Sequence, residues 1–348
     1  MNFSDEIINW YHQNKRDLPW RNTKDPYKIW LSEIILQQTR VAQGLSYFNK
    51  FISHYPTIKL LANAPEQEVL NLWQGLGYYS RARNLHFTAR LITEKYNGIF
   101  PSDYKTILSL KGVGEYTAAA ITSFAYGLSY PVIDGNVYRV LSRVFGVELP
   151  IDSTLGKKAF QQLATELIDV NCPADYNQAI MEFGALQCLP KSPSCENCPL
   201  HLSCYALKNN KISELPKKKK KIKQRNRYFN YLIIIEDECI TLNKRTGKDI
   251  WVGLYDFPLL ETKTRMEEFD AFNVAFKGLD LTFQKKSTEL KHILTHQKIY
   301  AIFWHVSVKN KKKMAEKYVQ PPLKELNNYP VPKLIDNYLQ SISLNSYL

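Results

Sequence analysis

Four cysteines, Cys188, Cys195, Cys198 and Cys204, follow the pattern C-x6-C-x2-C-x5-C within 17 residues. Thiols this close, in a chain whose N-terminus lacks the basic-then-apolar pattern of a signal peptide, are poor disulfide partners and good metal ligands. The spacing suits a tetrahedral zinc and an iron-sulfur centre about equally. Cys172 and Cys239 stand apart from them. Two carboxylates stand out separately. Glu33 lies in IWLSEIIL, apolar nearly all round a helix, and Ile29, Trp30, Leu36 and Gln37 at helical spacing offer it no basic partner. Burial without a counter-charge raises a carboxyl pKa, which suits an acid that donates a proton near neutral pH. Asp134 precedes Gly135, Asn136 and an apolar-periodic run through Val137, Val140, Leu141 and Val144, so it reads as a helix N-cap. That placement predicts a low pKa and a lasting negative charge. From these residues alone, a structural cap is the better reading of Asp134.

The elements that must hold these groups can be read from periodicity and punctuation. Asp25-Pro26 is a cap followed by proline at the first helical position, and it opens the helix that carries Glu33. Residues 102–109 and 115–126 read as two short helices joined by the turn Leu110-Lys111-Gly112-Val113-Gly114. Two glycines permit left-handed or close-packed backbone, and free amides at the start of the second helix would favour an anion such as a phosphate. An ordinary helical hairpin with a glycine cap reads the same way from these residues alone. The first 208 residues are predicted all-α. Residues 209–227, with nine basic and one acidic side chain, read as a basic linker. Residues 228–348 are predicted α+β, with strand-like YFNYLIII, CITLN, WVGLYDF and IYAIFWHVSV and a helical spacing over 331–342.

Length and charge agree with this division. A chain of 348 residues exceeds one small module, and its 45% hydrophobic content is enough for more than one core. The longest apolar run is far too short to cross a bilayer, so a soluble, cytoplasmic protein without a membrane partner is expected. Lys and Arg number 46 against 33 Asp and Glu, giving +13 and a pI near 9.2. Such an excess points to a polyanionic partner, although the linker carries +8 of it.

WLSEIILQQT, LWQGLGYYSRARNL, LKGVGEYTA, PVIDGNVYRVL and the four-cysteine loop together resemble, in order and spacing, the MutY family of adenine DNA glycosylases in the endonuclease III or helix-hairpin-helix superfamily. The resemblance spans about 180 residues and continues weakly into the C-terminal part. It implies an all-α, two-lobed glycosylase domain over residues 1–208, with a six-helix lobe at about 22–130. The N-terminal helix and residues 131–208 would make the lobe that carries the cysteine loop. Residues 209–227 would be the linker and 228–348 a smaller α+β Nudix-like domain. It also implies a 4Fe-4S cluster on Cys188, Cys195, Cys198 and Cys204, a choice that spacing alone leaves open.

Carried over residue by residue, the resemblance implies that Glu33 protonates adenine and then activates water, while Asp134 stabilises or attacks the oxocarbenium-like sugar. Tyr116 and Asn136 would hydrogen-bond around the reacting sugar. Lyase members carry a lysine where this chain has Tyr116, and a phenol cannot form a Schiff base, so a monofunctional enzyme leaving an abasic site is expected. Base flipping costs a few kcal/mol, so wedges and base-edge contacts are expected: Tyr78 as the wedge, Gln37 and Gln38 at base edges. Arg81, Arg83, Lys111, Gly112, Val113 and Gly114 would contact the DNA backbone. Thr295 and His296 would read 8-oxoguanine, although Leu294-Thr295-His296 departs from the usual Phe-Ser-His. Residues 261–280 hold no glutamate-rich metal box, which argues against nucleotide hydrolysis. The implied partner is double-stranded DNA with A:8-oxoG or A:G mispairs, bound by a monomer. The rivals are a lyase, a thymine glycosylase, a Nudix phosphohydrolase and a non-catalytic binding module.

Overall fold

The structure, a computed structural model, describes residues 2–219, 224–309 and 318–342. Its contacts group into two units: Met1–Asn63 with Asn84–Lys220, and Ala64–Arg83 with Lys221–Leu348. In chain order the helices before the strands are α1 (Phe3–Asn14), α2 (Pro26–Leu36), α3 (Val41–His54), α4 (Ile58–Asn63), α5 (Glu66–Leu72), α6 (Ser80–Tyr96), α7 (Tyr104–Ser109), α8 (Glu115–Tyr126), α9 (Gly135–Phe145), α10 (Thr154–Leu167), α11 (Pro173–Leu186) and α12 (Tyr205–Lys208). Among the described residues every strand lies beyond Gln224.

The first unit is helical because its caps and apolar stripes are well matched. Asp25 accepts the Tyr27 amide at 2.9 Å with Pro26 at the first helical position, and α2 then buries residues on all sides, Trp30, Leu31, Glu33 and Ile35 among them. Asp134 opens α9, and Gly146 closes it at φ +70°. Helix α1 packs on α11, α11 on α9 and α8, and α2 on α3 and α8. Ile7, Tyr11, Leu141, Phe160 and Phe183 fill the core around α1, α9, α10 and α11.

One buried charge ties the N-terminal segment to α11. Glu182 is 1% exposed, and it accepts from Arg16 Nε at 2.8 Å, Arg16 Nη2 at 2.6 Å, Arg21 Nη1 at 3.0 Å and Arg21 Nη2 at 2.7 Å. Burial pushes its pKa upward, but the hydrogen bonds from the two guanidiniums outweigh that and hold it at about 2. The sequence separations exceed 150 residues, so no local pattern announces this pair of ion bridges.

In the second unit a five-stranded sheet runs β6-β1-β9-β7, with β8 also on β9. The strands are β1 (Arg225–Ile233), β2 (Ile235–Glu236), β3 (Cys239–Ile240), β4 (Asn243–Lys244), β5 (Tyr255–Asp256), β6 (Leu259–Thr262), β7 (Leu281–Lys286), β8 (Leu290–Ile293) and β9 (Gln297–Val308). β1 and β9 are parallel, and the other pairs of this sheet are antiparallel. Both faces are covered: Phe229, Tyr231, Ile299 and Phe303 pack with the helix Lys333–Ser341, while Leu232, Trp304 and Val306 pack with the helix Asp270–Ala275. A sheet buried on both sides explains the nearly continuous apolar run of YFNYLIII.

One expected strand needs correction, and two observations bear on the expected domain bounds. WVGLYDF is mainly turn, with only Tyr255–Asp256 in a strand, because Gly253 adopts φ +82° and breaks the run. The stretch read as a linker is partly built into the fold: β1 already begins at Arg225, and Lys211 and Lys217 pair with Glu148 on the first unit. Residues 64–83 group with the C-terminal residues, unlike the continuous block expected for 1–208. There Gln67 and Asn71 donate to the Asn328 carbonyl at 3.0 and 3.1 Å, and Tyr79 Oη donates to Val331 O at 3.1 Å.

Replacing Glu182 by alanine strands the Arg21 guanidinium, whose side chain is 9% exposed. The expected loss of unfolding free energy is about 3–5 kcal/mol in urea titration, as for other buried pairs broken from one side. A loss below ~1 kcal/mol would mean that water already screens the site.

Candidate active site

Helix α2 places Glu33 inside the first unit with 6% of its surface exposed, and the second residue of α8, Tyr116, hydrogen-bonds its carboxyl. Burial is the main force that pushes the Glu33 pKa up, to about 7; the Tyr116 hydrogen bond pulls it down, the Asp134 charge pushes it up and the Arg21 charge pulls it down. The Tyr116 phenol is itself driven well above its ordinary value by burial, then by Glu33 and Asp134, so it remains a donor. These mutual influences put Glu33, Tyr116 and Asp134 in one electrostatic neighbourhood. The Tyr116 hydroxyl also lies 3.7 Å from Met181 Sδ.

Asp134 is the N-cap expected from its position. Its Oδ1 accepts the Asn136 and Val137 amides, both at 2.8 Å, and its Oδ2 accepts Asn136 Nδ2 at 2.7 Å. The expected low pKa is not found: burial outweighs these donors and moves Asp134 above the ordinary aspartate value. The cap still distinguishes the two acids, since three N–H groups favour the anion at Asp134 whereas Glu33 accepts one phenol.

Asn136 is in turn fixed by a residue that sequence reading missed. Arg139, one helical turn on and 8% exposed, donates Nη2 to Asn136 Oδ1 at 2.9 Å and Nε to the Cys188 carbonyl at 2.7 Å. It thereby sets which end of the Asn136 amide faces Asp134 and joins that residue to the start of the cysteine loop. Its spacing three residues from Asn136 was the available signal.

The four cysteines line one pocket with Val144, Phe183, Leu200 and Leu207. Each of Cys188, Cys195 and Cys198 has its thiol pushed upward, first by burial. Arg143 Nη1 approaches Cys188 Sγ at 3.4 Å, and its guanidinium also donates to the Leu189, Pro190 and Leu215 carbonyls at 2.7, 3.1 and 3.1 Å. Among the described residues no three of His, Cys, Asp and Glu close around a single metal ion. The donor set, four sulfurs around an apolar hollow with a buried arginine beside it, is compatible in its chemistry with an iron-sulfur centre.

Residues 31–165 match the model of the HhH-GPD superfamily of base excision DNA repair proteins, and residues 230–341 match that of the NUDIX domain. Among solved structures, a thermostable thymine-DNA glycosylase superposes with a TM-score of 0.56 at 32% identity, over 60% of this chain and 95% of that one. An adenine DNA glycosylase of Buchnera aphidicola from Schizaphis graminum is 35% identical over 97% of this chain and 98% of its own length. One from Buchnera aphidicola of Baizongia pistaciae is 38% identical over 86% of this chain and 84% of its own. The chain belongs to the adenine DNA glycosylase family. It is therefore a DNA glycosylase of base excision repair, with a helix-hairpin-helix domain followed by a smaller Nudix-like domain.

Within this family member the hairpin adopts its expected form. Gly112 has φ +84°, and a Cβ there would come within 2.8 Å of Asn84 Cβ, which accounts for the glycine and gives Asn84 a packing role. Val113 is buried, Lys111 is exposed, and a Cβ on Gly114 would meet nothing within 4 Å. Gln37 donates to Thr117 Oγ1 at 3.3 Å, and Gln38 is exposed at φ +57°.

In the second unit Tyr78, 45% exposed at φ +48°, meets Thr295 across a 2.8 Å hydroxyl–hydroxyl hydrogen bond. His296 is exposed beside it. The phosphate role expected for Arg81 conflicts with its surroundings. It is 8% exposed, donates to the Leu76 and Gly77 carbonyls at 3.3 and 3.1 Å and lies over the Trp73 and Tyr78 rings, so it shapes the loop that carries Tyr78. Arg83, half-buried, gives Nη1 to the Val252 carbonyl.

The Glu33 shift has a stability consequence. A carboxyl whose folded pKa is raised to about 7 binds its proton more tightly in the folded state, so its contribution is present at low pH and lost as pH rises through that value. Glu33→Gln keeps the size and removes the charge. It should raise unfolding free energy at pH 8 by up to roughly 3 kcal/mol, with little gain at pH 4. Equal effects at both pH values in denaturant titrations would show that Glu33 is not a buried acid.

Proposed function

We propose that this protein hydrolyses the N-glycosidic bond of adenine mispaired with 8-oxoguanine or guanine in double-stranded DNA and leaves an abasic site. The reading is supported by a carboxylic acid, Glu33, buried on α2 with 6% of its surface exposed, together with a carboxylate, Asp134, that caps α9 with three N–H donors, the two acting on each other electrostatically. Glu33 protonates the departing adenine on its imidazole ring, which lowers the cost of negative charge on the leaving group. Asp134, whose anion is favoured by three N–H donors against the effect of burial, stabilises the oxocarbenium-like sugar or attacks it. Tyr116 steadies the Glu33 carboxyl, Asn136 steadies Asp134, and Glu33 then takes a proton from the attacking water. Tyr116 offers no amine, so strand cleavage through a Schiff base is not part of the reaction.

Around this chemistry, Lys111 and the amides of Gly112, Val113 and Gly114 take a phosphate at the start of α8, where Gly114 leaves room for it. Tyr78 wedges into the stack, Gln37 and Gln38 contact base edges, and Thr295 with His296 reads 8-oxoguanine; the Tyr78–Thr295 hydrogen bond supports a joint role for wedge and reader. The functional modules are a glycosylase domain over 1–208 and a reader over 228–348, acting as a monomer in the cytoplasm. Cys188, Cys195, Cys198 and Cys204 would hold a 4Fe-4S cluster, which when bound organises residues 188–204. Arg143 would offset its negative charge, and Arg139 would connect that loop to Asn136.

A second reading has a specific support: the likeness to a thymine-DNA glycosylase at 32% identity. Base release from A:8-oxoG, A:G and T:G duplexes, followed by alkali, decides between them. Adenine release without strand cleavage before alkali is expected; thymine release, or cleavage without alkali, defeats the proposal. Glu33→Gln and Asp134→Asn should each cut single-turnover release at least ~1000-fold while duplex binding persists. The wild-type rate should fall about tenfold per pH unit above ~7 as Glu33 loses its proton, and fall again in acid as Asp134 gains one. A flat profile from pH 6 to 9 would remove Glu33 from the role of acid.

The cluster is checked separately. Purified protein should show the broad visible absorbance of an iron-sulfur centre, and Cys198→Ala should lose it along with bound iron. Stoichiometric zinc without iron would replace the cluster by a zinc site.

A further inference from the structure

The turn Thr295-His296 between β8 and β9 is exposed on both residues, yet its backbone is tied down from an unexpected quarter. It closes on itself by Leu294 N donating to Gln297 O at 2.8 Å. Its three outward carbonyls are then covered by two consecutive residues. Gln224 Nε2 donates to Leu294 O at 3.0 Å and to Thr295 O at 3.5 Å, and the Arg225 amide donates to His296 O at 3.1 Å. The base of the turn is equally fixed. Gln297, 5% exposed, accepts from Arg225 Nε at 3.2 Å and Arg227 Nη1 at 3.4 Å. Arg227 is itself clamped by Asp249 and Glu261 at 2.6–2.8 Å.

We propose that Gln224, at the end of the basic segment, is a positioning residue for the 8-oxoguanine reader. Resting on the reader role assigned to Thr295 above, this inference gives the segment before β1 a function beyond tethering. Discrimination between 8-oxoguanine and guanine depends on polar groups held in fixed register, and a loose hydroxyl discriminates poorly. With both neighbouring carbonyls on the Gln224 amide, the Thr295 hydroxyl keeps the orientation in which it meets Tyr78 at 2.8 Å. Remove the amide and the turn retains its fold through Arg225 and Gln297 while losing that register.

The test measures the ratio of single-turnover kcat/KM on A:8-oxoG to that on A:G for the full chain. Gln224→Met keeps size and neutrality but has no donor; it should lower the ratio roughly fivefold, the scale of one hydrogen bond, with the fall borne by the A:8-oxoG arm. Gln224→Arg restores a donor and should recover at least half of the lost ratio. Thr295→Ala, run beside them, separates the two readings. If it lowers the ratio and Gln224→Met does not, the positioning role is wrong and the reader role stands. If Thr295→Ala leaves the ratio intact, the reader role and the positioning role fall together. A Gln224→Met effect equal on both duplexes would mark a merely structural residue and also overturn the proposal.

Discussion

The proposed chemistry depends on a proton kept in an apolar place. Glu33 sits on a helix whose residues are buried on all sides, so its ionised form is costly and its neutral form persists to about pH 7. The groups around Glu33 read as adjustments to that cost. Tyr116 supplies one hydrogen bond, enough to orient the carboxyl but too little to restore a normal pKa. Arg21, near enough to favour the anion, has its guanidinium occupied by Glu182. Were Arg21 released from that partner, its charge would act on Glu33 undivided, and the acid would weaken as a proton donor.

Asp134 shows how two buried acids that act on each other electrostatically are kept different. Both are desolvated and both are raised, so burial alone does not separate them. Separation comes from donors: three N–H groups at the start of α9 against a single phenol. One of them, the Asn136 side-chain amide, is positioned in turn by Arg139, which reaches from Asn136 to the carbonyl of the first loop cysteine. The cap, the amide and the arginine form one connected chain of hydrogen bonds, so the geometry at Asp134 and the order of the cysteine loop are not independent.

Local features were legible in the sequence. Asp25-Pro26, the hairpin glycines and Asp134-Gly135-Asn136 each encode a backbone event within a few residues, and each occurs where its chemistry requires. The direction of the Glu33 shift was legible for a similar reason, since an all-round apolar helix leaves a carboxyl nowhere to go. What escaped reading depends on distant partners. Glu182 finds Arg16 and Arg21 across more than 150 residues, and Arg81 turns inward because Trp73 and the Leu76 and Gly77 carbonyls receive it. Asp134 was misjudged because capping was visible in sequence while the degree of burial was not.

The grouping of residues 64–83 with the C-terminal portion bears on how the molecule can be cut. A fragment ending in the basic segment would look natural from composition, yet it would leave the side-chain amides of Gln67 and Asn71 and the phenol of Tyr79 without the carbonyls they donate to at Asn328 and Val331. It would also uncover whatever surface α5 shares with residues 323–328. Any excised helical piece thus carries a scar on the very loop that bears Tyr78, and its behaviour reports on that scar as well as on the missing portion.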